Sequence, residues 1–300
     1  MCGIIAYIGG KDAARVVLEG LKKLEYRGYD SWGIAALPTG SKVFSVIKKT
    51  GKIGEVSLES VKTVVKGENH VAIAHTRWAT HGGVTEQNTH PHFDCRQRIA
   101  VVHNGIVENH QQLKEELASK GHTFASQTDT EIIPHLIEGY YDGSDFGAAA
   151  RKAANRLHGR SAFVAVDSDS KKIVAVRKGA PLIIGVHENS SEEFFIASDI
   201  TAFLDHTNEV KYLDDGEMAV VGSGSDGVRF FKLETGEEVH KRIVEIHWHQ
   251  DKIEKEGYDH FLIKEIMEQK ETLLRAINQD DTKLLIVAES IKNAFGTFFV

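Results

Sequence analysis

Apolar strand-like runs fall at two places in this chain, its first hundred residues and the stretch 161–248, with helical patterns between them. That distribution constrains the fold more than any other feature. Ser161–Val166, Ile173–Val176, Leu182–Val186, Phe194–Ala197, Met218–Val221 and Val228–Phe231 follow one another without a helix long enough for a parallel crossover, and Asp226-Gly227 is a hairpin turn signal. Earlier, residues 3–9 read as a buried strand. Trp32–Leu37 and Lys42–Ile47 read as a pair joined at Pro38-Thr39-Gly40, and Val71–Ala74 and Ile99–Val102 as short, wholly apolar strands. Strands in blocks, not alternating with helices, predict an α+β fold of antiparallel sheets with helices packed outside.

Asp12 is placed to cap a helix carrying Val16, Val17, Leu21 and Leu24 on one side and ending near Gly28. Ile53, Val56, Val61, Val64 and Val65 suggest a second helix. Others are expected at about 109–120, 129–141 and 145–157. Thr76–Arg98 is a long polar stretch with little regular pattern, and loops of that length inside a compact domain are usually functional or disordered. Beyond about residue 240 the character changes. His247–Lys252 is polar, as a linker would be. Asp259 would cap a helix with Leu262, Ile266, Leu273, Leu274 and Ile277, and a further helix would cover about 281–294. Gly296–Val300 reads as an apolar strand without a closing turn, which suggests a second domain cut short.

Chemistry concentrates in four short segments. Cys2 precedes the first strand. Removal of Met1 would leave a thiol and a free α-amine on one residue, a nucleophile beside its own general base. Alone, a cysteine near a terminus is ordinarily a small apolar residue. In His75–Gly83, Arg77 offers a planar fork for a carboxylate, Thr80 and His81 add hydrogen-bonding groups, and Trp78 could cover a pocket; the alternative is a solvated loop with Trp78 anchored in the core. In His103-Asn104-Gly105, the Asn104 amide and the next backbone N–H can converge on one oxygen, whereas a lone Asn-Gly is more often a turn. Asp129, in Thr128–Glu131, either caps a helix or presents its carboxylate to a ligand ammonium group.

Composition narrows the partners. A net charge of −7 argues against nucleic acid or an acidic membrane as the main partner, and no segment approaches the ~20 apolar residues of a membrane span. No basic and apolar leader opens the sequence, so a cytoplasmic protein is expected. Two cysteines, Cys2 and Cys95, make no disulfide framework. Seven of the sixteen histidines lie in 70–110, but without a paired-cysteine or metalloprotease pattern, so neither a metal nor another cofactor is expected.

Taken together, Cys2-Gly3-Ile4, Leu24–Ser31, His75–Gly82, His103–Asn109 and Thr128–Glu131 resemble the class-II glutamine amidotransferases, which carry an N-terminal cysteine. Within that family the likeness is to the branch that aminates and isomerises fructose 6-phosphate; Lys264–Gln269 resembles the helix opening its sugar-phosphate isomerase (SIS) half. The resemblance implies an N-terminal-nucleophile sandwich of four layers, αββα. It implies that Cys2 is the nucleophile, that Asn104 and Gly105 form the oxyanion hole, that Arg77 and Asp129 hold the two charged ends of L-glutamine, and that Thr80 and His81 complete the pocket under a Trp78 lid. It also implies an amidotransferase domain over 2–222, last strands and a linker over 223–257, and the start of the isomerase domain over 258–300. Fructose 6-phosphate would bind only in a full-length enzyme, expected to be a homodimer. Asp259-His260-Phe261 and Glu268-Gln269-Lys270 depart from the family's Pro-His-Phe and Glu-Gln-Pro at that junction, away from the glutaminase pocket. Another amide hydrolase of the same fold, a sister amidotransferase, or a glutamine sensor without turnover are the alternatives.

Overall fold

A computed structural model describes residues 2–188, 190–222, 227–247, 258 and 261–277, together with residues 285, 288, 289 and 292. The chain divides into two compact units, residues 1–247 and 248–300.

The first unit is built on two antiparallel sheets. One has eight strands: β1 (Gly3–Ile8), β2 (Ser31–Pro38), β3 (Ser45–Thr50), β4 (Asn69–Arg77), β9 (Ile183–His187), β10 (Ser190–Ala197), β11 (Glu209–Tyr212) and β15 (Val244–Glu245). Their order is β15-β11-β9-β10-β1-β4-β2-β3. The other has seven: β5 (His92–Phe93), β6 (Ile99–Gly105), β7 (Ser161–Asp167), β8 (Ile173–Lys178), β12 (Glu217–Val221), β13 (Val228–Lys232) and β14 (Glu238–Val239). Their order is β14-β13-β12-β8-β7-β6-β5.

Alternation along each strand sorts side chains into three cores. Ile4, Ala6 and Ile8 of β1 meet Val102 of β6 and Val164 and Val166 of β7 between the sheets. Ile5 and Tyr7 point the other way, against Val17 and Leu21 of α1 (Ala13–Lys23). On the far face of the second sheet, Ile99 and Val101 pack under α3 (His110–Ser119), α4 (Ile132–Tyr140) and α5 (Phe146–Arg156). Strands covered on both faces explain the continuous apolar runs, which antiparallel sheets with one wet face lack. Each fully buried Ile, Val or Phe contributes about 1.5–3 kcal/mol. The layering is αββα, the sandwich expected.

Local chemistry sets the element ends. Asp12 caps α1 by accepting from Arg15 N, Lys22 and Lys23 occupy its last turn, and Asp145 caps α5 by accepting from Ala148 N at 2.9 Å. The helix expected from Ile53 to Val65 is only the short α2 (Leu58–Lys62): Gly54 turns the backbone to φ +45°, and Ser57 restarts it as an N-cap. The strand expected at Lys42–Ile47 starts later, at Ser45, because the Ser41 hydroxyl bonds Val43 N and Val43 O in a local turn. β11 escaped the sequence pattern because among its four residues only Val210 is buried. In the expected 129–141 helix the first turn, Asp129–Glu131, is a 3-10 turn.

In the second unit α6 (Phe261–Ile277) occupies the helix expected there. Leu285, Ala288, Glu289 and Lys292, from the helix expected over 281–294, are helical. Asp226, Asp259, Trp248–Lys252 and the Gly296–Val300 strand lie outside the described residues.

Candidate active site

β1 lies beside β4 with Gly3 opposite Thr76, so the residue before β1 arrives next to the residues ending β4. Cys2 therefore meets Arg77 and Trp78. The Trp78 backbone N–H donates to Cys2 Sγ at 3.2 Å, and Sγ lies 3.5 Å from Trp78 O. Cys2 O is gripped from two directions, by Arg27 Nε at 3.1 Å and Asn104 Nδ2 at 3.1 Å. Burial pushes the Cys2 thiol above its ordinary pKa, opposed by the Trp78 N–H and by the positive charges of Arg77 and Arg27.

Asn104 comes from the other sheet, at the end of β6, and its orientation is fixed from behind. His75 Nε2 lies 3.0 Å from His103 O and 3.2 Å from Asn104 Oδ1. Both partners are acceptors, so Nε2 carries the proton. That assignment turns Oδ1 toward His75 and the NH2 toward Cys2. One of the two NH2 protons goes to Cys2 O. Burial lowers His75 to about 3, so it is neutral throughout the physiological range. Gly105 follows at φ +129°, and a Cβ there would lie 2.2 Å from Arg160 O. Only glycine fits, so Asn104-Gly105 is a strand end shaped for the site and not an ordinary turn.

Arg77 is almost wholly buried. Its NH1 donates to Gly83 O at 3.1 Å, and its NH2 to His81 O and to Gly82 O, the latter at 3.3 Å. The guanidinium thus shapes the loop. Asp30 secures the same loop from below by accepting from Ala79 N at 2.8 Å. Trp78 is not anchored in the core: it is 46% exposed and packs on Tyr29 with ring centroids 5.4 Å apart.

Asp129 caps no helix through its carboxylate. Oδ2 instead accepts from Val107 N at 2.7 Å, across the fold, which leaves Oδ1 for a ligand. Cys2, Arg77, Trp78, Thr80, His81, Gly105 and Asp129 line one cavity, joined by His90, His103, Thr128 and Thr130. Asn104 stands behind it. All eight residues expected from the sequence are thus brought together.

Supporting groups were less legible. The Thr130 hydroxyl bridges His90 Nε2 at 3.0 Å and His103 Nδ1 at 2.9 Å. Arg27, beside Asp199 at 3.3 Å, lay in a matching motif but had no assigned role. No spacing signal links it to Cys2; it reaches Cys2 O from the 3-10 turn Glu25–Arg27 that follows α1.

A description of the glutamine amidotransferase domain matches residues 75–205. A Thermococcus kodakarensis protein, glutamine–fructose-6-phosphate aminotransferase (isomerizing), is 46% identical over 303 residues, covering 100% of this chain and 49% of its own. The chain belongs to the glutamine amidotransferases. A protein of the same name from Methanothermobacter thermautotrophicus is 48% identical to this amidotransferase over 96% of the chain and 48% of its own length. The amidotransferase therefore spans about half the length of the curated relatives it matches. Among solved structures, glutamine phosphoribosylpyrophosphate amidotransferase from B. subtilis superposes on 78% of the chain and 50% of its own with a TM-score of 0.63 at 25% identity. A class-II glutamine aminotransferase domain protein from Silicibacter pomeroyi shares the fold at a TM-score of 0.52 and 16% identity, over 77% of the chain and 99% of its own. The sandwich is that of the N-terminal-nucleophile amidotransferases. Among the described residues, no helix is long and apolar enough to cross a membrane.

Proposed function

We propose that this amidotransferase hydrolyses the side-chain amide of L-glutamine through a γ-glutamyl thioester on Cys2. The observation that carries the reading is the convergence at Cys2: a backbone N–H 3.2 Å from its sulfur, and the Asn104 amide 3.1 Å from its carbonyl. Loss of Met1 frees the α-amine as the base. The thiolate attacks the amide carbon, and the oxyanion takes the second Asn104 proton and the Gly105 N–H. The carbon–nitrogen bond breaks, the α-ammonium of Cys2 protonates the departing ammonia, and water releases glutamate from the thioester. Asp129 holds the substrate ammonium and Arg77 its carboxylate, while Thr80 and His81 complete the pocket and Trp78 covers it.

Residues 258–300 begin, in this reading, a sugar-phosphate isomerase domain, with 223–257 as last strands and linker after an amidotransferase domain over 2–222. In a longer, homodimeric, cytoplasmic enzyme the ammonia would pass to fructose 6-phosphate. The 46–48% identity to aminotransferases of that name supports this acceptor.

The test is glutamate release by the Met1-processed chain, with an irreversible glutamine analogue to map the reactive residue. Wild type turns over and is labelled at Cys2, and Cys2→Ala does neither. Turnover by Cys2→Ala, or a label elsewhere, overturns the proposal.

A further inference from the structure

Outside the pocket lining, four side chains from three segments converge on one point. Cys95 comes from the turn between β5 and β6, His122 from the connection after α3, and His135 and Glu138 from α4. The last two share a helix face at i, i+3. Cys95 Sγ lies 3.6 Å from His122 Nδ1 and 3.5 Å from His135 Nδ1. Glu138 Oε2 lies 3.1 Å from His122 Nδ1 and 3.6 Å from His135 Nδ1. The four donor atoms all lie within 4.8 Å of one another.

The separations of 3.1–3.6 Å suit a single bound ion. A tetrahedral zinc ion with Zn–S of about 2.3 Å and Zn–N or Zn–O of about 2.0–2.1 Å sets its ligand atoms about 3.3–3.6 Å apart. Two imidazole nitrogens converge on the same sulfur and the same carboxylate oxygen. Around the cluster, Cys95 N donates to Glu138 Oε2 at 3.3 Å, Arg96 Nε stands 3.8 Å from Oε1, and Thr123 hydrogen-bonds the Cys95 thiol.

We propose that Cys95, His122, His135 and Glu138 bind one zinc ion. A thiolate with two imidazoles and a carboxylate suits zinc better than magnesium or calcium, which take oxygen ligands. On binding, the Cys95 thiol loses its proton to solvent, and each histidine coordinates through Nδ1. His135 Nε2 then faces Glu131 Oε1, 3.6 Å away, whose carboxylate is held by Ala125 N and by Ser126 N and Oγ. A carboxylate behind a ligating imidazole orients it. Four protein ligands close the coordination sphere, so the ion is structural. It clips the turn at Cys95 and the α3–α4 connection to the helix that follows Asp129.

The test uses the whole 300-residue chain with zinc and cobalt(II) as probes. After zinc loading and dialysis, elemental analysis gives one equivalent of zinc. Cobalt(II) gives a thiolate charge-transfer band with the intense visible bands of a tetrahedral site. Cys95→Ala and His122→Ala each abolish both signals, circular dichroism showing the variants folded, and Cys2→Ala keeps them. Zinc raises the melting temperature of wild type and not of Cys95→Ala. Should Cys95→Ala misfold, His122→Ala decides, since its side chain is at the edge of the cluster and 13% exposed. Substoichiometric zinc in wild type, a cobalt band that survives Cys95→Ala, or one that disappears in Cys2→Ala overturns the proposal.

Discussion

His75 Nε2 sits 3.2 Å from Asn104 Oδ1, a hydrogen bond from one sheet to the other that decides which way the Asn104 amide faces. A donor at position 75 is therefore worth more to catalysis than to binding. His75→Phe keeps a ring but loses the donor, so the amide is free to flip. The expected outcome is a fall in kcat of about 10- to 100-fold with KM changed far less, in line with the loss of an oriented oxyanion donor. His75→Gln restores part of kcat. Steady-state glutaminase kinetics on the three proteins separate this from general damage, which would move the Gln variant as much as the Phe one.

Asp129 offers the mirror case. Asp129→Asn still accepts from Val107 N, so the backbone bond at 2.7 Å survives while the charge is lost. A charge-assisted bond is worth about 1.5–3 kcal/mol, or about 10- to 150-fold in kcat/KM. Most of that loss should appear in KM for glutamine, with the melting temperature nearly unchanged. An unaltered KM would remove Asp129 from substrate binding.

Gly105→Ala tests backbone shape. A methyl group at φ +129° meets Arg160 O and Ser161 Cα at distances no side chain tolerates. Strain of this kind costs about 1–3 kcal/mol, so urea denaturation should show a loss of at least that size. Turnover should fall as well, because relief of the clash moves the Gly105 N–H.

The buried histidines make stability depend on acid. Burial lowers His75 to about 3 and holds His90, His92 and His103 below their ordinary 6.5. The unfolded chain therefore binds more protons than the native one between the two values, and stability falls as pH drops through 6.5. At pH 5.5 His75 alone costs about 1.4 kcal/mol relative to alkaline pH, and His90, His92 and His103 act in the same direction. Urea unfolding at pH 7.5 and 5.5 should differ by at least about 1.4 kcal/mol, above the range where carboxylates titrate. Equal stability at the two values would contradict neutral burial of the cluster.

Antiparallel sheets with helices outside were legible because strands fall in blocks of unbroken apolar runs, as in Ile99–Val102, while the four-layer αββα order came from the family resemblance. Cys2, Asn104 and Asp129 each read more often as structural alone, and only the segments taken together pointed to a site. Residues that act through position were not legible. His75 and Arg27 lay in matching motifs without an assigned role, and only the folded contacts, His75 with Asn104 and Arg27 with Cys2 O, show what they hold. Short strands with a single buried residue, such as β11, and a helix broken by one positive φ at Gly54 carry too little pattern to be read. The Cys95 cluster draws on turn, connection and helix, and no fixed spacing joins them.

Arg27 and Asn104 clasp the carbonyl of Cys2, and Trp78 reaches its sulfur. All three holds fall on atoms that lie downstream of the first peptide bond. Cleavage of that bond by an aminopeptidase leaves every one of them in place. Maturation by loss of Met1 would thereby be uncoupled from folding: the scaffold could be finished beforehand, and trimming would change the chemistry of the terminus without asking the architecture to move.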